Sequence, residues 1–234
     1  MILFYNPQFS LAAPFLPEEE ARHCIKVMRM NAGDALHITD GKGNLYETQI
    51  ASTDVKKCRL AVTHTQTEFG KRPYYIHLAI APTKNADRTE WLVEKCVELG
   101  IDEISFIACE RSERRIFKTD RLEKIAVSAM KQSLKAYLPA MHEIIPFRQF
   151  VEKPLDGQKF VAHLDEGGRE VLQKVAVKQR NYCLLVGPEG DFSPAEIRLA
   201  LEKGFMPVSL GESRLRTETA GMAGCHILNL INNS

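Results

Sequence analysis

Cys183-Leu-Leu-Val186-Gly187-Pro188-Glu189-Gly190-Asp191-Phe192-Ser193 and, after a short helical segment, Val208-Ser-Leu210-Gly211-Glu-Ser-Arg214-Leu215-Arg216-Thr217-Glu218-Thr219-Ala220 decide how this chain is read. Two apolar runs each end in a glycine-containing loop, and the second loop is crowded with Arg, Glu and Thr. In an open α/β sheet, ligands sit outside the carboxyl ends of the strands, where such loops gather. Function is therefore sought here first.

Around these loops, strands alternate with helices. Tyr75 to Ala81 reads as a buried strand, Asp87 to Leu99 as a helix ended by Gly100, and Ile101 to Ala108 as the next strand. Leu122, Ile125, Ala126, Ala129, Met130 and Ser133 recur at three and four, the period of an amphipathic helix that stops before Pro139. Lys159 to Leu164 reads as a strand, Arg169 to Val177 as a helix and Asn181 to Val186 as a strand. Ser193-Pro194-Ala195-Glu196 carries a complete helix start, and that helix ends at Gly204. Met206 to Leu210 is the last strand. Thr219 to Ile231 is a final helix, apolar almost all round and so expected in a core or a subunit interface. The alternation implies an α/β fold: a mainly parallel sheet with helices on both faces.

Before this region the pattern differs. Glu18 opens a short helix, Asp34 to Thr39, Asn44 to Ala51 and Lys57 to Thr65 read as strands, and Asp40-Gly41-Lys42-Gly43 is a hairpin turn. Short strands with turns between them suggest a small β-barrel. Gly70-Lys71-Arg72-Pro73 is the linker, which divides the chain into residues 1–70 and 71–234.

Composition narrows the class. At 234 residues, with 44% hydrophobic and 26% charged residues, the chain reads as a globular protein able to build a core. No apolar run reaches the length of a membrane span, and no basic segment precedes the short apolar run at the N-terminus, so a cytoplasmic protein is expected. The six cysteines form no C-x-x-C pair and read as reduced, buried thiols. The seven histidines show no metal-ligand spacing, so no metal is expected. Between Glu110 and Lys135 basic residues, Lys118 among them, outnumber acidic ones. That cluster is either a footprint for a phosphate backbone or a solvated helix face.

Gly187-Pro188-Glu189-Gly190 is not a dinucleotide fingerprint, because proline removes a donor from the turn that should approach a pyrophosphate. No Gly-Lys-Ser/Thr follows, which excludes a P-loop. Both loops could still be tight connections and nothing more.

Gly187-Pro-Glu-Gly190 with Phe192-Ser193, and Leu210-Gly211 with Leu215-Arg216-Thr217-Glu218-Thr219-Ala220, resemble the cofactor motifs of the SPOUT-class RNA methyltransferases. The nearest resemblance is to the RsmE-type family, the 16S rRNA uridine-N3 methyltransferases. Lys84, Asp87-Arg88, Glu94-Lys95, Glu98-Leu99-Gly100, Glu110-Arg111-Ser112 and Lys131-Gln132-Ser133 are similar to its first half-domain. His23, Val27-Met28-Arg29, Gly33-Asp34 and Asp40-Gly41 are similar to its PUA-like domain. Asp191 departs from the pattern, standing where the family usually has a second glycine.

The resemblance implies S-adenosylmethionine bound in a C-terminal trefoil knot, a homodimer in which two subunits complete each site, and 16S rRNA of the small subunit as partner. It assigns the cofactor to Leu164, Val186, Gly187, Pro188, Glu189, Gly190, Leu210, Gly211, Leu215, Arg216, Thr217, Thr219 and Ala220. A sulfonium methyl is already electrophilic, so the chemistry needs no metal. A cation must face the imide anion formed as uracil N3 loses its proton, and Arg216 suits that role. Glu218 or Glu189 could accept the proton, although Glu218 could equally cap the last helix. RNA phosphates would meet Arg22, Lys26, Arg29, Arg111, Arg114, Arg115, Lys131 and Lys135. A SPOUT enzyme acting on tRNA and a non-catalytic ribosome-assembly factor remain open alternatives.

Overall fold

The computed structural model describes residues 1–116, 119–163 and 170–233. It has two compact units, Met1–Lys71 with Val127–Leu138, and Arg72–Ala126 with the chain from Pro139 onward. Sequence alone placed residues 127–138 with the second unit. Main-chain bonds explain the difference: Gly43 N–H donates to Ala136 O at 2.8 Å and Leu138 N–H to Gly41 O at 2.9 Å.

The first unit holds β1 (Leu3–Tyr5), β2 (Phe15–Leu16), β3 (Ala35–Thr39), β4 (Leu45–Ile50) and β5 (Cys58–Gln66) in one five-stranded sheet, order β1-β3-β4-β5-β2. At the hairpin turn Asp40 Oδ1 accepts from the Lys42 N–H at 2.8 Å, so the side chain takes over what the backbone leaves unpaired. Helix α1 (Glu18–Arg22) continues into a π-helical turn, His23–Val27. Phe4, Leu16, Leu36, Ile38 and Ile50 close the core. Each such fully buried side chain contributes ~1.5–3 kcal/mol.

The second unit holds β6 (Tyr75–Ile80), β7 (Glu103–Ala108), β8 (Ala140–Pro146), β9 (Gln158–Ala162), β10 (Glu170–Val171), β11 (Asn181–Val186) and β12 (Met206–Ser209). They form a seven-stranded sheet, order β10-β12-β9-β11-β6-β7-β8, with every pairing parallel. Its helices are α2 (Ala86–Leu99), α4 (Phe147–Val151), α5 (Leu172–Val175), α6 (Pro194–Glu202) and α7 (Thr217–Asn233), while α3 (Asp120–Gln132) has residues in both units. Strand alternation sorts the two faces. Ala79, Cys183 and Leu185 pack with Phe147, Phe150, Ala200 and Phe205 from around α4 and α6. Leu78, Ile80 and Leu184 face α7 on the other side.

Three details depart from the sequence reading. Of the stretch expected as a helix from Arg169 to Val177, Glu170–Val171 is strand and only Leu172–Val175 is helical, because Ala176 turns extended. The start of that stretch, Arg169, lies outside the described residues. Strand β8 and helix α4 were not expected. The first is largely exposed and lacks clear alternation, and the second is five residues long, too short for a 3.6 period to show. All six cysteines are buried and unbridged. No helix among the described residues is long and apolar enough to cross a membrane.

Helix α7 approaches the sheet closely because Gly221 lacks a side chain. A Cβ there would lie 2.8 Å from Ile80 Cδ1 and 2.9 Å from Leu92 Cδ1. Gly221→Ala should therefore cost about 1–3 kcal/mol of unfolding free energy through overpacking. Urea denaturation measures it, and an unchanged midpoint would show that the helix is not seated this tightly.

Candidate functional site

A cleft of about 400 Å³ opens at the carboxyl ends of β9, β11 and β12. Strand β9 lies between the other two, so the loops that follow β11 and β12 converge over it. Val186, Gly187, Pro188 and Glu189 line one wall. Leu210, Gly211, Leu215, Arg216, Thr217 and Ala220 line the other. The floor includes Ala162 and His163, and Arg88 from the first turn of α2 closes one side. Gly190 and Thr219 are outside this lining, and Leu164 and Lys118 lie outside the described residues.

Arg216 in the wall and Glu218, buried outside the lining, are the charged groups that the second motif places here. Arg216 is exposed, and among the described residues its guanidinium has neither ion pair nor hydrogen bond. Glu218, at the start of α7, is buried. Its Oε1 lies 3.7 Å from Arg88 Nε, and its Oε2 is inaccessible and lacks any partner among the described residues. A buried carboxylate oxygen without a donor is costly, and a role as helix cap would not by itself account for it. Glu189 is exposed and accepts from the Lys84 N–H at 3.0 Å, which ties the loop after β11 to the loop after β6.

The loop after β11 is braced on both sides of its wall. Asp191, which also lines the cleft, adopts φ +59, and its Oδ1 accepts from the Phe192 N–H at 2.8 Å. Aspartate tolerates this left-handed geometry because its short polar side chain bonds locally. Ser193 and Glu196 form the expected capping box on α6. Glu196 does more than cap: Oε2 accepts from Ser193 N–H and Oε1 from Glu110 N–H, both at 2.8 Å. Arg111 Nη1 donates to Gly190 O at 2.9 Å.

The expected RNA-binding residues divide between the units. In the second, Arg111, Arg114 and Arg115 each donate to a main-chain carbonyl, of Gly190, Lys84 and Glu110 respectively. In the first, Arg22, Lys26 and Arg29 are exposed, and Arg22 pairs with Glu18. Lys131 is partly buried, with its ammonium on Glu20 and over the ring of Phe4. Lys135 lies half-buried just after α3. Sequence reasoning quoted Arg88 but gave it no role. Its position directly after the loop following β6, on the same side of the sheet as the two motif loops, was the available signal.

A parallel sheet with a small-molecule cleft at its strand ends, preceded by a small β-unit, defines a two-unit α/β protein with a ligand site at the carboxyl edge of its sheet. A family model described as an RNA methyltransferase domain matches residues 70–229, and one described as an RNA methyltransferase PUA domain matches residues 16–63. The chain belongs to this RNA methyltransferase family.

Its relatives are of the ribosomal RNA small subunit methyltransferase E type. The protein of that name from Synechocystis is 31% identical over 83% of this chain; the match spans 65%, just under two thirds, of the relative's own length. The crystal structure of a probable rRNA-methyltransferase from Porphyromonas gingivalis superposes with a TM-score of 0.93 at 44% identity, covering 100% of this chain and 99% of that one. A ribosomal RNA small subunit methyltransferase E from Neisseria gonorrhoeae, solved bound to S-adenosyl methionine, gives 0.86 at 26% identity over 99% and 98% of the two chains.

The bracing role of Glu196 is measurable. Glu196→Ala should lower unfolding free energy by about 1.5–3 kcal/mol, the worth of hydrogen bonds to a charged group. Glu196→Gln should cost less, and equal losses in the two variants would argue against the paired acceptor role.

Proposed function

We propose that this chain transfers the methyl group of S-adenosylmethionine to N3 of a uridine in 16S ribosomal RNA of the small subunit. The observation that carries the reading is the unpartnered guanidinium of Arg216 in the wall of the cleft that both motif loops enclose.

The cleft fits the cofactor. Its volume of about 400 Å³ falls in the ~300–1,000 Å³ range of small-molecule sites. Val186, Leu210, Leu215 and Ala220 offer apolar walls for a purine, and the loop main chain offers donors and acceptors for its edge. Gly211, at φ +132, takes a backbone conformation that a side chain would strain. The orphan Oε2 of Glu218, beside the cleft, is an acceptor in want of a donor. When bound, S-adenosylmethionine supplies a methyl group that is already electrophilic.

The chain's own residues handle the substrate. Loss of the N3 proton spreads negative charge over the two flanking carbonyl oxygens, and Arg216 faces that charge. A guanidinium stays protonated, so it is not the base. Glu189, exposed in the cleft wall, is the favoured proton acceptor, and Glu218, buried outside the lining, the second choice. Arg88 holds Glu218 in place. The target base must leave its stack to reach the cleft. Arg22, Lys26, Arg29, Lys131, Lys135, Arg111, Arg114 and Arg115 would meet backbone phosphates.

A homodimer and a cytoplasmic setting belong to the same reading. Leu230 of α7 is 46% exposed, near exposed His226 and half-buried Ile227, a surface suited to a second copy. The trefoil knot is supported by β12 filling the place between β9 and β10, strands that precede it in the chain.

Arg216→Ala should abolish methyl transfer to small-subunit RNA while leaving S-adenosylmethionine affinity within about tenfold, under ~1.4 kcal/mol. Near-normal turnover would remove it from the reaction. Ile227→Asp on α7 should give an inactive monomer by light scattering, and an active monomer would refute a site shared between subunits.

A further inference from the structure

The charges that line the cleft are sorted by wall. Glu189 and Asp191 stand on the loop after β11, and Arg214 and Arg216 on the loop after β12. Both carboxylates are held by main-chain donors, Glu189 by the Lys84 N–H at 3.0 Å and Asp191 by the Phe192 N–H at 2.8 Å. Arg88, the third guanidinium in the lining, lies 3.7 Å from the buried carboxylate of Glu218. In the nearby turn Arg111, Arg114 and Arg115 each already donate to a main-chain carbonyl. Arg214 is different: like Arg216 it is exposed, and among the described residues it has neither ion pair nor hydrogen bond. Glu212, exposed on the same loop, does not line the cleft.

The loop that carries the two arginines is fixed at both ends. Ser209 Oγ donates to Gly211 O at 2.8 Å and accepts from the Gly211 N–H at 3.2 Å. At the other end Arg216 O accepts from the Ala220 N–H at 2.7 Å, in the first turn of α7. Between these anchors Gly211 to Arg214 are all exposed, whereas Val186 and Val208 deeper in the lining are buried. Arg214 therefore stands at the rim. It is two residues from Arg216, a backbone span of at most about 7 Å, so with their long side chains both can reach a single nucleotide.

The polarity of the walls suits two reactants of opposite charge. S-adenosylmethionine carries a sulfonium and an ammonium against one carboxylate, and this net cation favours the wall of Glu189 and Asp191. A nucleotide brings a phosphate and, as N3 loses its proton, an imide anion, and both favour the arginine wall. A guanidinium stays charged throughout the working pH range, so this wall attracts anions without first taking up a proton. Its planar fork also matches two phosphate oxygens at once.

We infer that Arg214 grips the phosphate of the same nucleotide whose base Arg216 faces, so that one loop fixes both ends of the target. The inference rests on the reading of Arg216 given above. Arg214 acts on substrate binding and not on the methyl-transfer step, and it makes the site selective for a nucleotide in a strand over a free nucleoside.

Fluorescence anisotropy of a labelled, uridine-containing single strand of small-subunit RNA tests this, with the full chain saturated with S-adenosylhomocysteine and the salt varied. Arg214→Ala should weaken binding at least about fivefold near ~0.1 M salt and flatten the slope of log K against log salt by about 0.7, the share of one phosphate on a single strand. Arg214→Lys should keep most of that slope, because an ammonium still holds phosphate as a point charge. In methyl transfer Arg214→Ala should raise the KM for RNA by the same factor, with kcat and S-adenosylmethionine affinity within about twofold. An unchanged salt slope would overturn the inference. A loss of S-adenosylmethionine affinity of about tenfold or more would also overturn it, by assigning the guanidinium to the cofactor's carboxylate. A lysine variant as weak as the alanine one, with both melting at lower temperature, would make the residue structural. The salt slope is read without turnover, so it still reports on Arg214 if Arg216 proves dispensable, and the two readings fail separately.

Discussion

The placement of β9 between β11 and β12 is the constraint on which the cleft depends. The loops after β11 and β12 are separated in sequence by a whole helix, and parallel pairing to a common neighbour brings them together. Val186 and Val208 both align with Ala162, so the two strands end at the same level. Parallel register carries no local turn to fix it. Burial on both faces does so instead, since a one-residue slip would exchange Leu78, Ile80 and Leu184 for the side chains of the opposite face.

A second layer of bonds turns those loop ends into a firm wall. Glu196 joins the start of α6 to the turn at Glu110, and Arg111 reaches back from that turn to Gly190. Lys84 and Glu189 make a third link, from the loop after β6. Only acceptors and donors of the main chain are used at one end of each contact, so side-chain rotamers at that end cannot loosen it. Arg111 thus has a structural duty that the reading of it as an RNA contact does not require.

Much of this was legible in the sequence. The capping box, the glycine after α2 and the strand–helix alternation follow from local chemistry that needs no tertiary context. Both motif loops were found because each puts glycine after an apolar run, and the second is crowded with Arg, Glu and Thr beyond what a turn requires. Strand order was not legible, and so β9 as the floor and Arg88 as the side wall were not assigned. Residues 127–138 joined the first unit through carbonyl and amide bonds that leave no compositional trace. Strand β8 and helix α4 were missed because one is an exposed edge and the other a single turn or so.

The six thiols have a use of their own. All are buried, and burial pushes Cys24 up to about 11 and raises Cys58, Cys109 and Cys183, while at Cys96 the neighbouring Cys225 acts first and burial second. Thiolate is the reactive form, so alkylating reagents should find the native protein almost inert. Cys24 and Cys58 report on the first unit, the other four on the second. Labelling followed by mass mapping thus becomes a built-in clock for how often each unit opens, without any introduced probe.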